Sequence, residues 1–159
     1  MNNSMTLRPA ELQDVRAIHL LLHDYAMLGV LLDRSEENIT FYLKNFTVAV
    51  DEEQNLLGCM AVRDFGNDLL EVRSLAIQPG LRNSGIGRKL VAAAIARLDD
   101  ERGNYRLFAL TLQPGFFERL GFEIVQKELF PEKIWADCSR CPKQHCCDEF
   151  AVIYYGQKA

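Results

Sequence analysis

Residues 77–90 read IQPGLRNSGIGRKL: an apolar run ends in a loop rich in glycine and arginine, and an amphipathic segment follows. The first turn of a helix presents backbone N–H groups that have no partner within the helix, and the helix dipole adds partial positive charge there. Gly85 and Gly87 lack a Cβ and let an anion approach this backbone, while Arg82 and Arg88 add cations. The stretch therefore predicts a strand, an anion-binding loop and a helix.

Strands and helices alternate on both sides of this loop. After it, apolar residues recur at helical spacing and Gly103 ends the helix; they are Ile86, Leu90, Val91, Ala94 and Leu98. Periodicity and turn residues predict further helices at 10–27, 35–44 and 115–120, and strands at 7–9, 47–50, 56–63, 69–77, 106–112, 122–129 and 150–155. This order predicts an α/β protein that has a mixed sheet with helices on both faces.

Composition limits the class of protein. The 159 residues, 48% of them hydrophobic, fit one globular domain over residues 1–159. A formal net charge of −4 argues against a nucleic-acid partner, which draws a clustered excess of lysine and arginine. No apolar run is long enough to span a membrane, and residues 1–6 are too short and polar for a secretory signal. We therefore expect a cytoplasmic protein that binds a small anion.

Four of the five cysteines crowd into one connection, residues 131–148, before the last predicted strand. They are Cys138, Cys141, Cys146 and Cys147. A Cys-x-x-Cys pair is a common half-site for structural zinc, but adjacent cysteines seldom both bind one metal ion. Three interpretations stay open here: a zinc site, a redox or disulfide role, and simple reduced thiols.

Three segments in order resemble the GCN5-related N-acetyltransferases (GNAT), a family that binds acetyl-CoA. They are LAIQP at 75–79, RNSGIG at 82–87, which fits the family's Arg/Gln-x-x-Gly-x-Gly/Ala motif, and FFERLGF at 116–122. The resemblance implies a mainly antiparallel sheet, with acetyl-CoA as cosubstrate. It places the pantetheine arm along the backbone of Leu75, Ala76 and Ile77, and the pyrophosphate on Arg82, Asn83, Ser84, Gly85, Ile86, Gly87 and Arg88. An ordinary strand-to-helix turn with glycines for tightness is the alternative.

Within that superfamily the chain most resembles the acetyltransferase domain of the N-acetylglutamate synthases. The matching residues are LGVLLDRSEE at 28–37, Glu71, Leu110-Thr111, and LFPEK at 129–133. The resemblance implies transfer of acetyl to the α-amine of L-glutamate, at the start of arginine biosynthesis. Two features of the sequence depart from the synthase pattern. No amino-acid-kinase-like domain precedes the transferase, which implies a short form, and the cysteine-bearing connection stands where the long form has a basic segment.

The chemistry needs a base, because an ammonium group cannot attack a thioester. The resemblance makes Glu71 the candidate general base, and strand alternation predicts that it shares a face with Arg73 and Leu75. A carboxylate needs an apolar setting or a water relay for this work. The alternative is a salt bridge from Glu71 to Arg73 or Arg63.

The leaving thiolate has no tyrosine to protonate it at the place where many family members carry one. Phe116-Phe117 stands there, and a phenyl ring donates no proton. Thr111 matches a hydroxyl position of the synthase pattern and is the candidate hydrogen-bond donor. An ordinary strand threonine is the alternative for this residue.

An acidic acceptor needs cations, and the planar guanidinium group of arginine binds a carboxylate through two hydrogen bonds. Arg34 is the first candidate, in a loop that would cover the substrate, and Arg73 is a weaker one. A solvated arginine beside a helix N-cap is the alternative for Arg34. An acetyltransferase for another amine and a non-catalytic acetyl-CoA-binding module stay open, as does a homodimer.

Overall fold

The computed structural model describes residues 4–126 and 149–156. In chain order the helices and strands are β1 (Thr6–Pro9), α1 (Val15–Met27), α2 (Glu36–Phe41), β2 (Phe46–Val50), β3 (Leu56–Asp64), β4 (Leu69–Ile77), α3 (Ile86–Glu101), β5 (Tyr105–Thr111), α4 (Pro114–Glu118), β6 (Glu123–Val125) and β7 (Phe150–Gly156). They follow the predicted order. The end of the predicted strand at 122–129 and the four clustered cysteines lie outside the described residues.

The described strands form one sheet in the order β1-β2-β3-β4-β5-β7-β6. β1–β2, β2–β3, β5–β7 and β6–β7 are antiparallel pairs, whereas β4 and β5 run parallel. The parallel ladder joins Leu69, Leu70 and Glu71 of β4 to residues 106–108 of β5. The prediction of a mixed, mainly antiparallel α/β fold is therefore confirmed.

Contacts divide the chain into two compact units. The first unit comprises residues 1–62 and 72–96, and the second comprises residues 63–71 and 97–159. The core of the first unit is built from α1, α2 and strands β2–β4, and includes Ile18, Leu22, Phe46, Val48 and Cys59. The core of the second unit contains Leu69, Phe108, Ala151 and Ile153. The assignment of residues 1–159 to one acetyltransferase domain stays a prediction.

The ends of the first two helices differ from the prediction. α1 begins at Val15 because residues 12–14 form a tighter 3-10 turn, in which the Asp14 carboxylate accepts a hydrogen bond from the Glu11 backbone N–H at 2.7 Å. Ser35 caps α2 as expected, since its Oγ accepts from the Asn38 N–H at 3.0 Å. α2 stops at Phe41, and a second 3-10 turn replaces the helix up to residue 45.

Strand β4 carries an irregularity that alternation did not predict. Ser74 has φ +55°, a left-handed conformation that is uncommon for a serine. Glu71 and Arg73 lie before this point and Leu75 lies after it, so counting alternate residues does not extend from Arg73 to Leu75. Strand alternation therefore predicts a shared face for Glu71 and Arg73 only, and not for Leu75.

No helix among residues 4–126 and 149–156 is long and apolar enough to cross a membrane.

Candidate active site

The glycine-bearing loop joins β4 to α3 in the first unit. Gln78 N–H donates to the carbonyl of Leu57 in β3 at 2.9 Å, which ties down the point where the chain leaves the strand. Asn83 and Gly85 then adopt left-handed conformations, with φ +65° and +90°, before α3 begins at Ile86. Gly85 is therefore required for its backbone as well as for access, because a Cβ disfavours this conformation.

The predicted phosphate-binding side chains differ in exposure. Arg82, Asn83, Ser84 and Arg88 are exposed, whereas Ile86 is buried. The Ser84 hydroxyl donates to the Leu81 carbonyl at 2.5 Å and thereby closes the turn. The exposed residues thus combine two arginines with the N-terminal turn of a 16-residue helix, an arrangement that favours an anion.

Arg82 is held by one aromatic residue of α1. Its Nε donates to the Tyr25 hydroxyl at 3.3 Å, and its guanidinium carbon lies 5.3 Å from the centre of the Tyr25 ring. No described residue bonds to the two terminal nitrogens of Arg82. Arg82 also lines a hollow of about 240 Å³, together with Asp24, Tyr25, Leu28 and Pro79.

The end of β4, where the pantetheine backbone contacts were expected, is partly engaged by the protein itself. Ala76 is buried, and Leu75 and Ile77 are half-buried. The Ile77 carbonyl accepts a hydrogen bond from the Tyr25 hydroxyl at 2.6 Å. A carbonyl oxygen has two lone pairs, so this contact leaves Ile77 able to accept a second bond.

Sequence reasoning missed the role of Tyr25. The spacing marks it as one of the apolar positions of α1, and the side chain is indeed only 8% exposed. Its hydroxyl, however, reaches both Arg82 and Ile77. The available signal was chemical, because a buried tyrosine hydroxyl needs a hydrogen-bond partner.

Arg34 is half-buried and held from several directions within the first unit. Its Nε donates to Asn38 Oδ1 at 2.7 Å and its Nη1 donates to Ser74 Oγ at 3.0 Å. The guanidinium carbon lies 5.0 Å from the centre of the Phe46 ring and 5.7 Å from that of Tyr42. The predicted alternative of a solvated arginine does not describe this side chain.

The linker that carries Arg34 is also fastened to α1. The Arg34 carbonyl lies 2.7 Å from His19 Nδ1, and Asp33 Oδ2 lies 3.2 Å from His23 Nδ1. The two imidazole rings stack with a centroid separation of 6.0 Å. His19 and His23, one helical turn apart, thus fix a loop in the described structure.

Glu71 and Thr111 belong to the second unit. Glu71 is 3% exposed, although charged side chains are rarely buried, and it pairs with Phe108 in the parallel ladder. Thr111 ends β5, and its Oγ1 accepts from the Gln113 N–H at 2.8 Å. The Thr111 hydroxyl therefore keeps its own proton for donation to another group. Arg73, on β4 in the first unit, is half-buried.

A cysteine nucleophile has no support among the described residues. Cys59 is fully buried and its Sγ lies 3.5 Å from the Ser74 carbonyl. Burial raises the pKa of the Cys59 thiol to about 12, although a backbone hydrogen bond at Ala76 and the charge of Arg34 act in the opposite direction. Residues 4–126 and 149–156 contain no cluster of three His, Cys, Asp or Glu suited to a metal ion. The possible zinc ligands at 138–147 lie outside them.

Comparison with known proteins identifies the family. The model of the acetyltransferase (GNAT) domain matches residues 43–124, just over half of the chain. The chain belongs to the GNAT acetyltransferase family. It is an N-acetyltransferase, and the match spans strands β2 to β5 together with the glycine-bearing loop that resembles the family motif.

Two relatives and one solved structure are similar to this chain. An uncharacterised N-acetyltransferase of Chlorobaculum tepidum is 45% identical over 92% of this chain and 94% of its own length. An amino-acid acetyltransferase of Neisseria meningitidis is 32% identical over 80% of this chain and 29% of its own length. The fold matches N-acetylglutamate synthase from Neisseria gonorrhoeae, complexed with coenzyme A and N-acetyl-glutamate, with a TM-score of 0.83 at 24% identity.

The alignments also show how much of the larger proteins this chain represents. The solved gonococcal structure covers 99% of this chain, but this chain covers 36% of the gonococcal one. The GNAT chain therefore spans about a third or less of the amino-acid acetyltransferase and synthase that it matches, and nearly the whole of the Chlorobaculum protein.

Proposed function

We propose that this GNAT enzyme transfers acetyl from acetyl-CoA to the α-amine of L-glutamate. The observation that carries the proposal is the fixed guanidinium group of Arg34, held by Asn38 and Ser74 in a loop that resembles the synthase pattern. The names of the relatives support an amino-acid acceptor, since one is an amino-acid acetyltransferase and the fold neighbour was solved with N-acetyl-glutamate.

Acetyl-CoA is the proposed cosubstrate because of the loop between β4 and α3. The phosphates of acetyl-CoA would lie on the N-terminal turn of α3, with Arg82 and Arg88 as cations and Gly85 permitting close approach. The amide-containing pantetheine arm would follow the backbone of residues 75–77, as a neighbouring strand would.

Arg34 is proposed to bind a carboxylate of the acceptor. A guanidinium group that is already positioned loses less side-chain entropy when it binds a ligand, and its planar edge matches a carboxylate. Asn38 and Ser74 are neutral groups, and the hydrogen bonds to them fix the direction of the guanidinium group. Arg73 is the second proposed cation.

The reaction forms a C–N bond and breaks a C–S bond. The neutral amine attacks the thioester carbonyl, and the electron pair of the broken C–S bond leaves with the CoA thiolate. Glu71, which is 3% exposed, is the proposed base that takes a proton from the amine, directly or through water. Thr111 is the proposed hydrogen-bond donor to the departing thiolate, which then takes up a proton from water.

The decisive experiment is an acceptor panel with acetyl-CoA. L-Glutamate, L-aspartate, L-glutamine, L-lysine, spermidine and a peptide with a free N-terminus are compared, and each acetylated product is measured by mass spectrometry. Product detection is preferred to thiol detection because the enzyme has five cysteines of its own. We expect L-glutamate to give the highest kcat/KM. Turnover of another amine with none of glutamate overturns the acceptor, and CoA binding without turnover of any amine overturns the activity.

A second experiment tests the role of Arg34. Arg34→Ala should raise the KM for glutamate by about 10-fold to 100-fold and leave the KM for acetyl-CoA unchanged, because a charge-assisted pair is lost. Arg16→Ala is the matched control. The Arg16 side chain is 78% exposed on α1, and its ion pair with Glu36 is long, at 4.0 Å. An unchanged acceptor preference in Arg34→Ala removes Arg34 from the proposal.

Glu71→Gln keeps the shape of the side chain and removes the base. We expect kcat to fall by about 10²-fold to 10⁴-fold while the dissociation constant for CoA stays the same. A rate close to that of the unmodified enzyme assigns the proton transfer to another group. Circular dichroism verifies that the buried amide has not disturbed the fold.

We also propose a pathway, a cellular location, an oligomeric state and a metal site for this enzyme. Glutamate acetylation would place the enzyme in arginine biosynthesis in the cytoplasm, and a homodimer would be visible by analytical ultracentrifugation. Zinc at Cys138, Cys141, Cys146 or Cys147 would be visible by metal analysis of protein purified without chelator.

A further inference from the structure

Tyr25 connects two parts of the proposed cofactor site. Its hydroxyl donates to the Ile77 carbonyl at the end of β4, at 2.6 Å. The same hydroxyl accepts from Arg82 Nε in the glycine-bearing loop, at 3.3 Å. These three groups form one chain, from Arg82 N–H to the phenol and from the phenol O–H to the carbonyl. All three residues belong to the first compact unit.

The directions of these hydrogen bonds are fixed by chemistry. A carbonyl oxygen only accepts and a guanidinium N–H only donates, so the phenol must give its single proton to Ile77 and present its lone pairs to Arg82. A phenol that is already donating becomes a better acceptor, because hydrogen bonds in series polarise one another. The Ile77 carbonyl therefore strengthens the hold of Tyr25 on Arg82.

Tyr25 also supports the flat face of the guanidinium group. The Arg82 carbon lies 5.3 Å from the ring centre, within the range of a cation–π contact. Tyr25 is 8% exposed within α1, so it is a rigid platform. The contacts use Nε and one face of Arg82, and they leave the two terminal nitrogens without a described hydrogen-bond partner. Arg82 also lines a hollow, together with Asp24, Leu28 and Pro79.

From this geometry we infer that Tyr25 is a positioning residue for the cofactor, which orients Arg82 to bind a phosphate of CoA through its two terminal nitrogens. A phosphate oxygen pair matches the paired donors at the end of a guanidinium group. Tyr25 keeps this group in place before the ligand arrives and so reduces the entropy lost on binding. The inference rests on the proposed use of acetyl-CoA, but it does not depend on the acceptor.

Tyr25→Phe tests the hydroxyl and retains the ring. The dissociation constant for CoA, measured by calorimetry without an acceptor, should rise about 5-fold to 10-fold in this variant. In turnover the KM for acetyl-CoA should rise while kcat changes little. Tyr155→Phe is the matched control, because Tyr155 is a half-exposed tyrosine at the other end of the described chain. If the unmodified enzyme binds no CoA, the proposed function fails; if it binds and Tyr25→Phe binds equally well, only the inference fails.

Two further measurements separate positioning from a general structural defect. S-Acetylpantetheine lacks the pyrophosphate, so its kcat/KM should be the same in Tyr25→Phe and the unmodified enzyme. In an Arg82→Ala background, the added Tyr25→Phe change should have no further effect on CoA affinity, because the group that it orients is gone. A loss with S-acetylpantetheine as large as with acetyl-CoA, or full additivity of the two substitutions, overturns the inference.

Discussion

Two arginines at turns of this enzyme, one in each compact unit, are held by different chemistry. Arg82, in the loop between β4 and α3, contacts the hydroxyl and the ring of Tyr25. Arg102, which follows α3 in the second unit, forms ion pairs with Asp64 at 2.6 Å and with Asp68 at 3.2 Å. The loop that contains Arg82 and the turn between β3 and β4, which Arg102 contacts, both contain residues in left-handed conformations.

The difference lies in how much positive charge remains for a ligand. Two carboxylates neutralise Arg102, and the hydrogen bond that Arg102 donates to Asp64 is the main reason that the pKa of Arg102 is raised. A phenol orients Arg82 without supplying negative charge, and no described carboxylate pairs with it. A cation that is oriented by neutral groups is typical of a binding site, whereas a cation held by carboxylates is typical of a structural contact.

The comparison is tested most directly by removing each arginine. Arg82→Ala should raise the dissociation constant for CoA about 10-fold to 100-fold, because a phosphate loses a two-pronged partner. Arg102→Ala should leave CoA binding unchanged and lower the free energy of unfolding by about 1 kcal/mol at most, since the Asp64 and Asp68 side chains are 47% and 62% exposed. Calorimetry and urea denaturation measure the two effects. Equal losses of CoA affinity in both variants contradict the distinction.

A smaller effect is expected from the glycines of the same two turns. Gly85 has φ +90° and Gly66 has φ +84°, and a Cβ at either position meets no atom closer than 3.5 Å. Gly85→Ala and Gly66→Ala should therefore each lower the free energy of unfolding by about 1 kcal/mol, through backbone strain alone. Only Gly85→Ala should weaken CoA binding, severalfold. Matched CoA affinities in the two variants show that the loop does not touch the phosphates.

The smallest expected effect is on the stability of the protein at acidic pH. Burial acts to raise the pKa of Asp64, but the Gly66 N–H and the Arg102 guanidinium outweigh it and hold that pKa below its ordinary value. Asp64 therefore contributes stability that is complete above about pH 4, the ordinary range of the carboxyl, and is lost as the pH falls through the lowered value. In Asp64→Asn, the free energy of unfolding should therefore fall less steeply as the pH is lowered below about 4. Urea denaturation at several pH values measures this. An unchanged pH dependence in the variant assigns the loss of stability in acid to other carboxyl groups.

The order of elements and the glycine-bearing loop were predictable because they depend on short-range signals. Glycine at Gly85, proline at Pro79 and the apolar stripe after residue 86 each restrict the backbone locally. The Ser35 cap was predictable for the same reason. Such signals act within a few residues of the chain, so the sequence alone displays them.

The contacts of Tyr25 and Arg34 were not predictable from the sequence, because most of them join residues that are far apart along the chain. The partners of Tyr25 lie 52 and 57 residues away along the chain, and Ser74, which binds Arg34, lies 40 residues away. Periodicity classified Tyr25 as a core position, which is correct but incomplete. Arg34 was predicted to bind substrate from a resemblance, and the sequence contained no sign that Phe46 and Asn38 would fix it.

The left-handed serine in β4 has a consequence for anyone who redesigns the acceptor preference. Ser74 divides the strand into a segment before it, which contains Glu71 and Arg73, and a segment after it, which leads to the proposed cofactor backbone. Its side chain and carbonyl are both occupied, by Arg34 and Cys59. A library that varies positions 71 and 73 should therefore keep Ser74 constant, and position 75 is better treated as an independent choice than as the third member of one face.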